Sequence, residues 1–280
     1  MDTVISSSTI ASLIALHGSA AAPFMIDVRR QPAFAADTHF IAGATWRDPF
    51  TVNDWAKFLP RHRAVLVYCV HGHEISKNTA AALCVAGIQA RYLEGGVEAW
   101  QAAGGAMAKK SAHIAIPSSA NMPSVWVTRA RPKIDRIACP WLVRRFIDPL
   151  AEFVYVGADE VLDYAQKNNA IAYDVPNVQF THRDDLCSFD ALMADFEFHD
   201  AALDSLAKIV RGADTGKPDL TPQSHGLLAV SLGLSGLYQD DHEMLRHGMV
   251  VYDALYAWLK NARTEIHNAD LFKKTTVTES

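Results

Sequence analysis

The chain has 280 residues, half of them apolar and a fifth charged, which is enough for two globular domains that each bury a core. Its net charge of −5 excludes a bulk electrostatic attraction for nucleic acid or for an anionic membrane. The four cysteines (Cys69, Cys84, Cys139 and Cys187) form no Cys-x-x-Cys pair, which argues against a disulfide framework or a zinc ribbon and fits a reducing cytoplasm.

The first predicted element is a short amphipathic helix near the N-terminus. Ile10, Leu13 and His17 share one helical face, and Gly18 is a typical helix stop. No Lys or Arg precedes Arg29, so the segment lacks the pattern of a secretory signal, and no apolar run approaches the length of a membrane span. We therefore expect a cytoplasmic protein without a membrane partner.

The most informative stretch follows a predicted buried strand at 64–68. That strand delivers Cys69 into a loop, after which a helix is predicted with Ser76 as its N-cap. A thiol in such a loop faces backbone N–H groups and the positive end of a helix dipole, which favour the thiolate and also bind anions. The loop residues are Val70, His71, Gly72, His73, Glu74 and Ile75. The pattern predicts a nucleophilic cysteine that meets an anionic substrate, with a buried structural cysteine as the alternative.

Three further segments, together with this loop, resemble the rhodanese family. They are Met-Ile-Asp-Val-Arg at 25–29, His-Phe-Ile-Ala-Gly-Ala at 39–44 and Tyr-Leu-Glu-Gly-Gly-Val-Glu-Ala-Trp at 92–100. The resemblance covers roughly residues 5–105. It implies an α/β domain with a parallel sheet and flanking helices, in which Cys69 carries persulfide sulfur and Asp27 and Arg29 are supporting residues.

The loop departs from the family pattern Cys-x-x-Gly-x-Arg-Ser at two positions. Glu74 stands where an arginine that helps to bind thiosulfate is expected, and Ile75 lengthens the loop by one residue. A carboxylate repels a dianion, and His71 and His73 offset that repulsion only when they are protonated. The longer loop predicts a pocket for a larger oxyanion or a bulkier sulfur donor.

A domain boundary is predicted after Trp100. Gly104-Gly105 ends the rhodanese-like pattern, and the following stretch to Pro123 has the composition of a linker. The predicted division is a rhodanese-like domain at 1–108, a linker at 109–123, a second domain at 124–260 and a polar tail at 261–280. Within the second domain we expect strands at 124–128 and 152–156 and helices at 200–211, 226–237 and 241–260.

The second domain opens with a basic segment at 128–145. Proline is favoured at the first helical position, so Pro140 predicts a helix start with Cys139 as its cap. Arginines around such a terminus can hold a tetrahedral dianion. The candidate oxyanion site comprises Arg136, Cys139, Arg144, Arg145 and Arg211. The alternative is a solvated helix face for Arg144 and Arg145 and an ion pair of Arg136 with Asp135.

Other polar residues of the second domain lie in apolar neighbourhoods. A second candidate site comprises Asp135, His182, Cys187, Asp214 and His242. Several of these residue types bind transition metals, but no spacing identifies a metal, and a single histidine is more often structural. The acidic residues at 240–243 are equally well explained as caps at the N-terminus of the last helix, where the helix dipole favours them.

Four segments of the second domain resemble the chromate-resistance domain of the ChrB type. They lie at 131–142, 187–190, 210–214 and 248–256. The resemblance implies a mostly helical α+β domain with a role in bacterial chromate tolerance, often as a regulator whose other domain binds DNA. Here a rhodanese-like domain takes that place and shows no helix-turn-helix pattern, so the DNA role is not carried over.

Two functions from different classes compete on this sequence. In the first, the protein is a sulfurtransferase in which Cys69 receives sulfur as a persulfide. In the second, it is an oxyanion or redox sensor without turnover, in which Cys69 and Cys139 report chromate. A plain interaction module is a third alternative. The expected partner is a small anion (thiosulfate, a persulfide or chromate). The sequence assigns no cofactor, although the second domain has residue types that can bind a metal. It decides neither whether a metal is bound nor whether the protein forms a homo-oligomer.

Overall fold

The computed structural model describes residues 7–110 and 123–262. Most of the predicted linker and of the predicted polar tail therefore lies outside the described residues. Among the described residues, no helix combines the length and the apolar run needed to cross a membrane.

The N-terminal part is built on a five-stranded parallel sheet in the order β1-β6-β5-β2-β4. In chain order its elements are β1 (Ser7–Ser8), α1 (Ile10–Leu16), β2 (Phe24–Asp27), α2 (Gln31–Ala36), β3 (His39–Ile41), β4 (Thr45–Trp46), α3 (Val52–Trp55), β5 (Val65–Tyr68), α4 (Glu74–Val85), β6 (Ala90–Leu93), α5 (Gly96–Ala102) and β7 (Met107–Lys109). Strands β2 and β5 are buried throughout, as their continuous apolar runs predict for strands covered on both faces. The predicted α/β class is confirmed.

The second part is richer in helices and contains a three-stranded parallel sheet in the order β10-β8-β9. Its elements are β8 (Val125–Arg129), α6 (Asp135–Phe146), β9 (Glu152–Val156), α7 (Val161–Asn168), β10 (Ile171–Ala172), α8 (Ser188–Asp195), α9 (Ala201–Asp214), α10 (Pro222–Leu237) and α11 (Asp241–Ala257). The two predicted strands and the three predicted helices are confirmed, and β10 is an addition. Asp200 and Asp240 cap α9 and α11 through side-chain hydrogen bonds, and for α11 this agrees with the cap interpretation of the acidic run at 240–243.

Two predicted helix starts are wrong. Helix α4 begins at Glu74 with His73 as its N-cap residue, so Ser76 lies inside the first turn. Helix α6 begins at Asp135, so Cys139 is not a cap and Pro140 lies inside the helix. A proline there leaves the carbonyl four residues earlier without its N–H donor. The hydroxyls of Tyr155 and Tyr173 lie 3.5 and 3.4 Å from that carbonyl, which belongs to Arg136, and they satisfy it from outside.

The two parts pack against each other through one continuous apolar cluster that includes Trp100 and Trp141. The buried His17, at the end of α1, contacts the rings of Trp100 and Phe146 edge-on. Its Nε2 lies 2.8 Å from the carbonyl oxygen of Ala42, and burial lowers its pKa to about 4. The neutral ring therefore donates to that carbonyl and serves as part of the core.

Candidate active site

Cys69 lies at the carboxyl end of β5, which sits between β6 and β2 in the sheet. Ligands of open parallel sheets bind at the carboxyl ends of the strands, where loops with free polar groups meet. The side chain is 5% exposed, and its Sγ lies 3.3 Å from the Oγ of Ser76. The thiol is therefore held in place at the base of a loop that opens to solvent.

The loop is short, because only Val70, His71, Gly72 and His73 separate Cys69 from the start of α4. The first N–H groups of a helix have no acceptor within the helix, and the positive end of its dipole lies at the same point. The start of α4 thus favours negative charge at the cysteine. Ser76 is fully buried and donates to the carbonyl oxygen of His73 at 3.1 Å, so it positions the loop and does not cap the helix.

The turn between β6 and α5 closes the loop from the other side. The N–H groups of Val97 and Glu98 donate to the carbonyl oxygens of Cys69 and Val70 at 3.0 and 3.3 Å. Gly96 allows this close approach, because a Cβ there would collide with both carbonyl oxygens and its φ is +62°. The Leu-Glu-Gly-Gly segment that resembles the rhodanese family therefore fixes the shape of the cysteine loop.

Replacing Gly96 by alanine is expected to lower the free energy of unfolding by about 2–4 kcal/mol, because it adds a steric collision to an unfavourable φ. Gly104 is the matched control, since its φ is +74° but a Cβ there meets no atom within 4 Å. Gly104→Ala should cost only about 1 kcal/mol. Urea unfolding of the two variants measures the difference. Equal losses would mean that the carbonyl oxygens of the loop do not constrain position 96.

A cavity of about 360 Å³ opens over the cysteine. The loop forms one side of it, and the turn between β2 and α2 forms the other. The lining residues are Arg29, Arg30, Ala33, Cys69, Val70, His71, His73, Glu74 and Ile75. The prediction from the sequence missed Arg30, an exposed arginine whose only sequence signal is its position directly after the Asp-Val-Arg strand ending.

Arg29 is buried and fully engaged, unlike Arg30. Its Nη2 lies 2.6 Å from a carboxylate oxygen of Asp27, and its Nη1 lies 2.6 Å from Asp37. Burial raises the pKa of Asp27, and the hydrogen bonds from Arg29 oppose that shift. The hydroxyl of Tyr68 donates to the same carboxylate at 3.1 Å. Asp27 and Arg29 therefore support the turn that faces the cysteine.

The rim of the cavity carries groups of both charges. The Nδ1 of His71 lies 3.0 Å from the carboxylate of Glu98, and the rings of His71 and His73 are 5.7 Å apart. Glu74 is exposed at the first position of α4, where the helix dipole stabilises a carboxylate. Arg30 is the exposed cation on the facing wall.

Each of the four arginines in the candidate oxyanion set has a polar partner of its own. The pairs are Arg136 with Asp174 (3.4 Å), Arg144 with the carbonyl oxygen of Ala151 (3.1 Å), Arg145 with Asp253 (2.8 Å) and Arg211 with Asp190 (3.2 Å). Cys139 is 1% exposed, and burial raises its pKa well above the usual value. The thiol of Cys139 is buried and neutral, and the arginines are already paired. The structure therefore gives no support to an anion site in this region.

The second candidate set is largely brought together. Ligand atoms of Asp135, His182 and Asp214 all lie within 4.8 Å of one another. Cys187 is adjacent as the N-cap residue of α8, where its thiol donates to Asp190. One predicted member, His242, lies outside this group, and one neighbour of His182, Asp174, was not predicted. His242 instead packs against the ring of Tyr155, and Asp174, which the prediction omitted, lies 3.5 Å from His182.

The parallel sheet and the cysteine loop at its carboxyl edge agree with the family model that matches the N-terminal part. Two family models agree with the two resemblances seen in the sequence: the Rhodanese-like domain matches residues 9–103, and the ChrB C-terminal domain matches residues 126–259. The chain is thus similar to a rhodanese-like domain over its N-terminal part and to a ChrB C-terminal domain over its second part.

One curated relative and two solved structures are similar to parts of the chain. Protein ChrB of Cupriavidus metallidurans is 34% identical over 140 residues, which are 49% of this chain and 41% of that protein. The chain therefore spans about two fifths of that relative's length. A rhodanese-related protein from Thermoplasma volcanium is 26% identical over 35% of this chain and 92% of its own, with a TM-score of 0.31. A rhodanese-like domain protein from Staphylococcus aureus is 24% identical over 34% and 91%, with a TM-score of 0.32.

Proposed function

We propose that the protein is a sulfurtransferase of chromate resistance in which Cys69 carries sulfane sulfur as a persulfide. The observation that supports this most directly is the placement of the Cys69 sulfur at the carboxyl end of β5, beneath the start of α4 and below a cavity of about 360 Å³. A nucleophile, an anion-stabilising helix start and room for a substrate meet there. The link to chromate comes from the ChrB C-terminal domain at 126–259.

The transfer proceeds in two balanced steps. The Cys69 thiolate attacks the outer sulfur of a donor, so that a sulfur–sulfur bond to Cys69 forms and the bond within the donor breaks. Thiosulfate leaves as sulfite, and a low-molecular-weight persulfide leaves as a thiolate. An acceptor thiolate or cyanide then attacks the outer sulfur of the Cys69 persulfide and regenerates the Cys69 thiolate. No electrons are gained or lost overall, and the start of α4 stabilises the negative sulfur at each stage.

The charges of the rim favour a singly charged donor. Glu74 repels every anion that enters, and the repulsion is twice as large for thiosulfate as for a monoanionic persulfide. Arg30 on the facing wall attracts both donors and offsets part of that cost. We therefore propose a persulfide as the preferred donor, with Arg30 in place of the arginine that the loop lacks.

Glu74→Gln should raise kcat/KM for thiosulfate about tenfold more than it raises kcat/KM for a persulfide donor. For charges roughly 6 Å apart and an effective dielectric constant of about 40, each unit of donor charge is worth about 1.4 kcal/mol, which is about tenfold. Arg30→Gln should lower both values, and thiosulfate should lose more. Glu152→Gln, an exposed carboxylate on β9, is the control and should change neither. An equal response of the two donors to Glu74→Gln would rule out this account of donor choice.

The observation that favours the competing function, a sensor without turnover, is Glu74 in the position where the family places an arginine. A sensor would bind chromate in a fixed stoichiometry and form no thiocyanate from any sulfur donor and cyanide. Measuring chromate binding and thiocyanate formation on the same preparation separates the two functions. Thiocyanate formation that depends on Cys69 supports the sulfurtransferase.

A further inference from the structure

Three carboxylates from separate segments of the ChrB C-terminal domain meet around the imidazole of His182. Asp135 is the first residue of α6, Asp174 follows β10, and Asp214 ends α9. The Nε2 of His182 lies 3.1 Å from Asp214, 3.5 Å from Asp174 and 3.7 Å from Asp135. The set lies far from Cys69 in sequence and uses none of the residues of the cysteine cavity.

These distances match the spacing of atoms that share one metal ion. Ligand atoms held at roughly 2.0–2.2 Å from a metal stand about 2.8–3.6 Å from one another in octahedral or tetrahedral arrangements. Two of the three contacts fall in that range, and the third lies at its edge. A hydrogen-bonded histidine offers one proton at Nε2 and can satisfy one carboxylate, whereas here three carboxylates surround that atom.

The charges in the cluster are also unbalanced. Asp174 pairs with Arg129 and Arg136, at 3.0 and 3.4 Å. Asp135 and Asp214 have no Arg or Lys nitrogen within 4.0 Å among residues 7–110 and 123–262, and their one basic neighbour at that distance is His182. Asp135 is 1% exposed, and its carboxylate accepts hydrogen bonds from the backbone N–H groups of Ser188 and Phe189 at 2.5 and 3.4 Å. Buried carboxylates in such a group are stabilised by a cation.

We propose that Asp135, His182 and Asp214 bind one divalent metal ion of the oxygen-preferring class, Mn²⁺ or Fe²⁺. Two carboxylates with one imidazole suit these ions better than the thiol-rich or all-imidazole sets that select zinc and copper. His182 is 41% exposed and Asp135 is fully covered, so the ion lies at the mouth of the cluster with its outer positions toward water.

The neighbouring cysteines do not belong to the ligand set. The thiol of Cys187 donates to Asp190 at 3.3 Å, and Cys139 is a buried residue of α6 itself. Neither sulfur belongs to the group of ligand atoms that lie within 4.8 Å of one another. The ion would instead tie the start of α6, the end of α9 and the segment before α8 to one point.

The test is a titration of the reduced, chelator-treated full chain with Mn²⁺. Binding is measured as the loss of the electron paramagnetic resonance signal of free Mn²⁺. The wild type should bind one ion per chain, and His182→Ala and Asp214→Asn should bind at least about tenfold more weakly. His225→Ala is the matched control, because His225 also lies beside a carboxylate, 2.9 Å from Asp219, but outside the cluster. It should bind like the wild type.

His182 is partly exposed, so its truncation leaves no core cavity and the variant should keep its circular dichroism spectrum. If Asp214→Asn unfolds, His182→Ala therefore still decides the question. The proposal is overturned if the folded wild type shows no saturable Mn²⁺ binding, or if His182→Ala binds Mn²⁺ as tightly as the wild type. Binding of Zn²⁺ with no binding of Mn²⁺ would contradict the proposed class of ion.

Discussion

Cys69→Ser is expected to lower thiocyanate formation from a sulfur donor and cyanide by at least about a thousandfold. A serine hydroxyl at neutral pH is not ionised and forms no persulfide, so the covalent intermediate is lost. The substitution changes one atom of a side chain that is 5% exposed and touches Ser76, so the fold should persist. Steady-state assays with thiosulfate and with a low-molecular-weight persulfide measure the effect.

Cys84→Ser is the matched control for this loss. Cys84 is a half-buried thiol on α4 of the same domain, and it donates to the carbonyl oxygen of Ala90 at 3.4 Å. Its replacement should leave turnover within about twofold of the wild type, because a serine hydroxyl can make the same hydrogen bond. If Cys69→Ser retains wild-type turnover, the sulfur does not pass through Cys69 and the sulfurtransferase proposal fails.

Arg29→Met should give the largest loss of stability of any single change near the cavity, about 3–5 kcal/mol. The substitution keeps much of the packed volume but leaves the carboxylate of Asp27 buried without its guanidinium. Asp27 and Arg29 are 1% and 2% exposed, so water does not replace the lost partner. Urea unfolding, with turnover measured in parallel, gives the size of the loss.

Two further variants separate loss of the ion pair from loss of packing. The double variant Asp27→Asn with Arg29→Met should be less destabilised than Arg29→Met alone, because no unpaired charge is left in the core. Arg61→Met removes an exposed arginine that donates to a single carbonyl, and it should cost less than about 1 kcal/mol. A double variant as unstable as the sum of its single changes would show that Asp27 and Arg29 act independently.

Much of the N-terminal fold could be predicted because its signals are local. The apolar runs that become β2 and β5 need burial on both faces, and the glycines at 95–96 have no close substitute at positive φ. The start of α4 could not be placed as well. Ser76 is a good cap by residue type, but its hydroxyl is used inside the first turn against Cys69 and His73.

The second domain shows where local rules fail for a physical reason. Pro140 predicts a helix start, yet α6 runs through it, and the hydroxyls of Tyr155 on β9 and of Tyr173 directly after β10 lie 3.5 and 3.4 Å from the freed carbonyl oxygen of Arg136. Asp174 was missed as a site residue for a related reason. It sits in a loop with no motif around it, and the parallel pairing of β10 with β8 carries it to His182. Such contacts depend on tertiary structure and leave no local pattern in the sequence.

The most direct test of the sulfur-carrier proposal is to map persulfide on the protein after one turnover with a sulfur donor and no acceptor. Peptide mass spectrometry after alkylation should find one added sulfur atom on Cys69 and none on Cys84, Cys139 or Cys187. Cyanide should then remove it and release thiocyanate in equal amount. An unmodified Cys69, or added sulfur spread over the other cysteines, would contradict the role of Cys69 as the sulfur carrier.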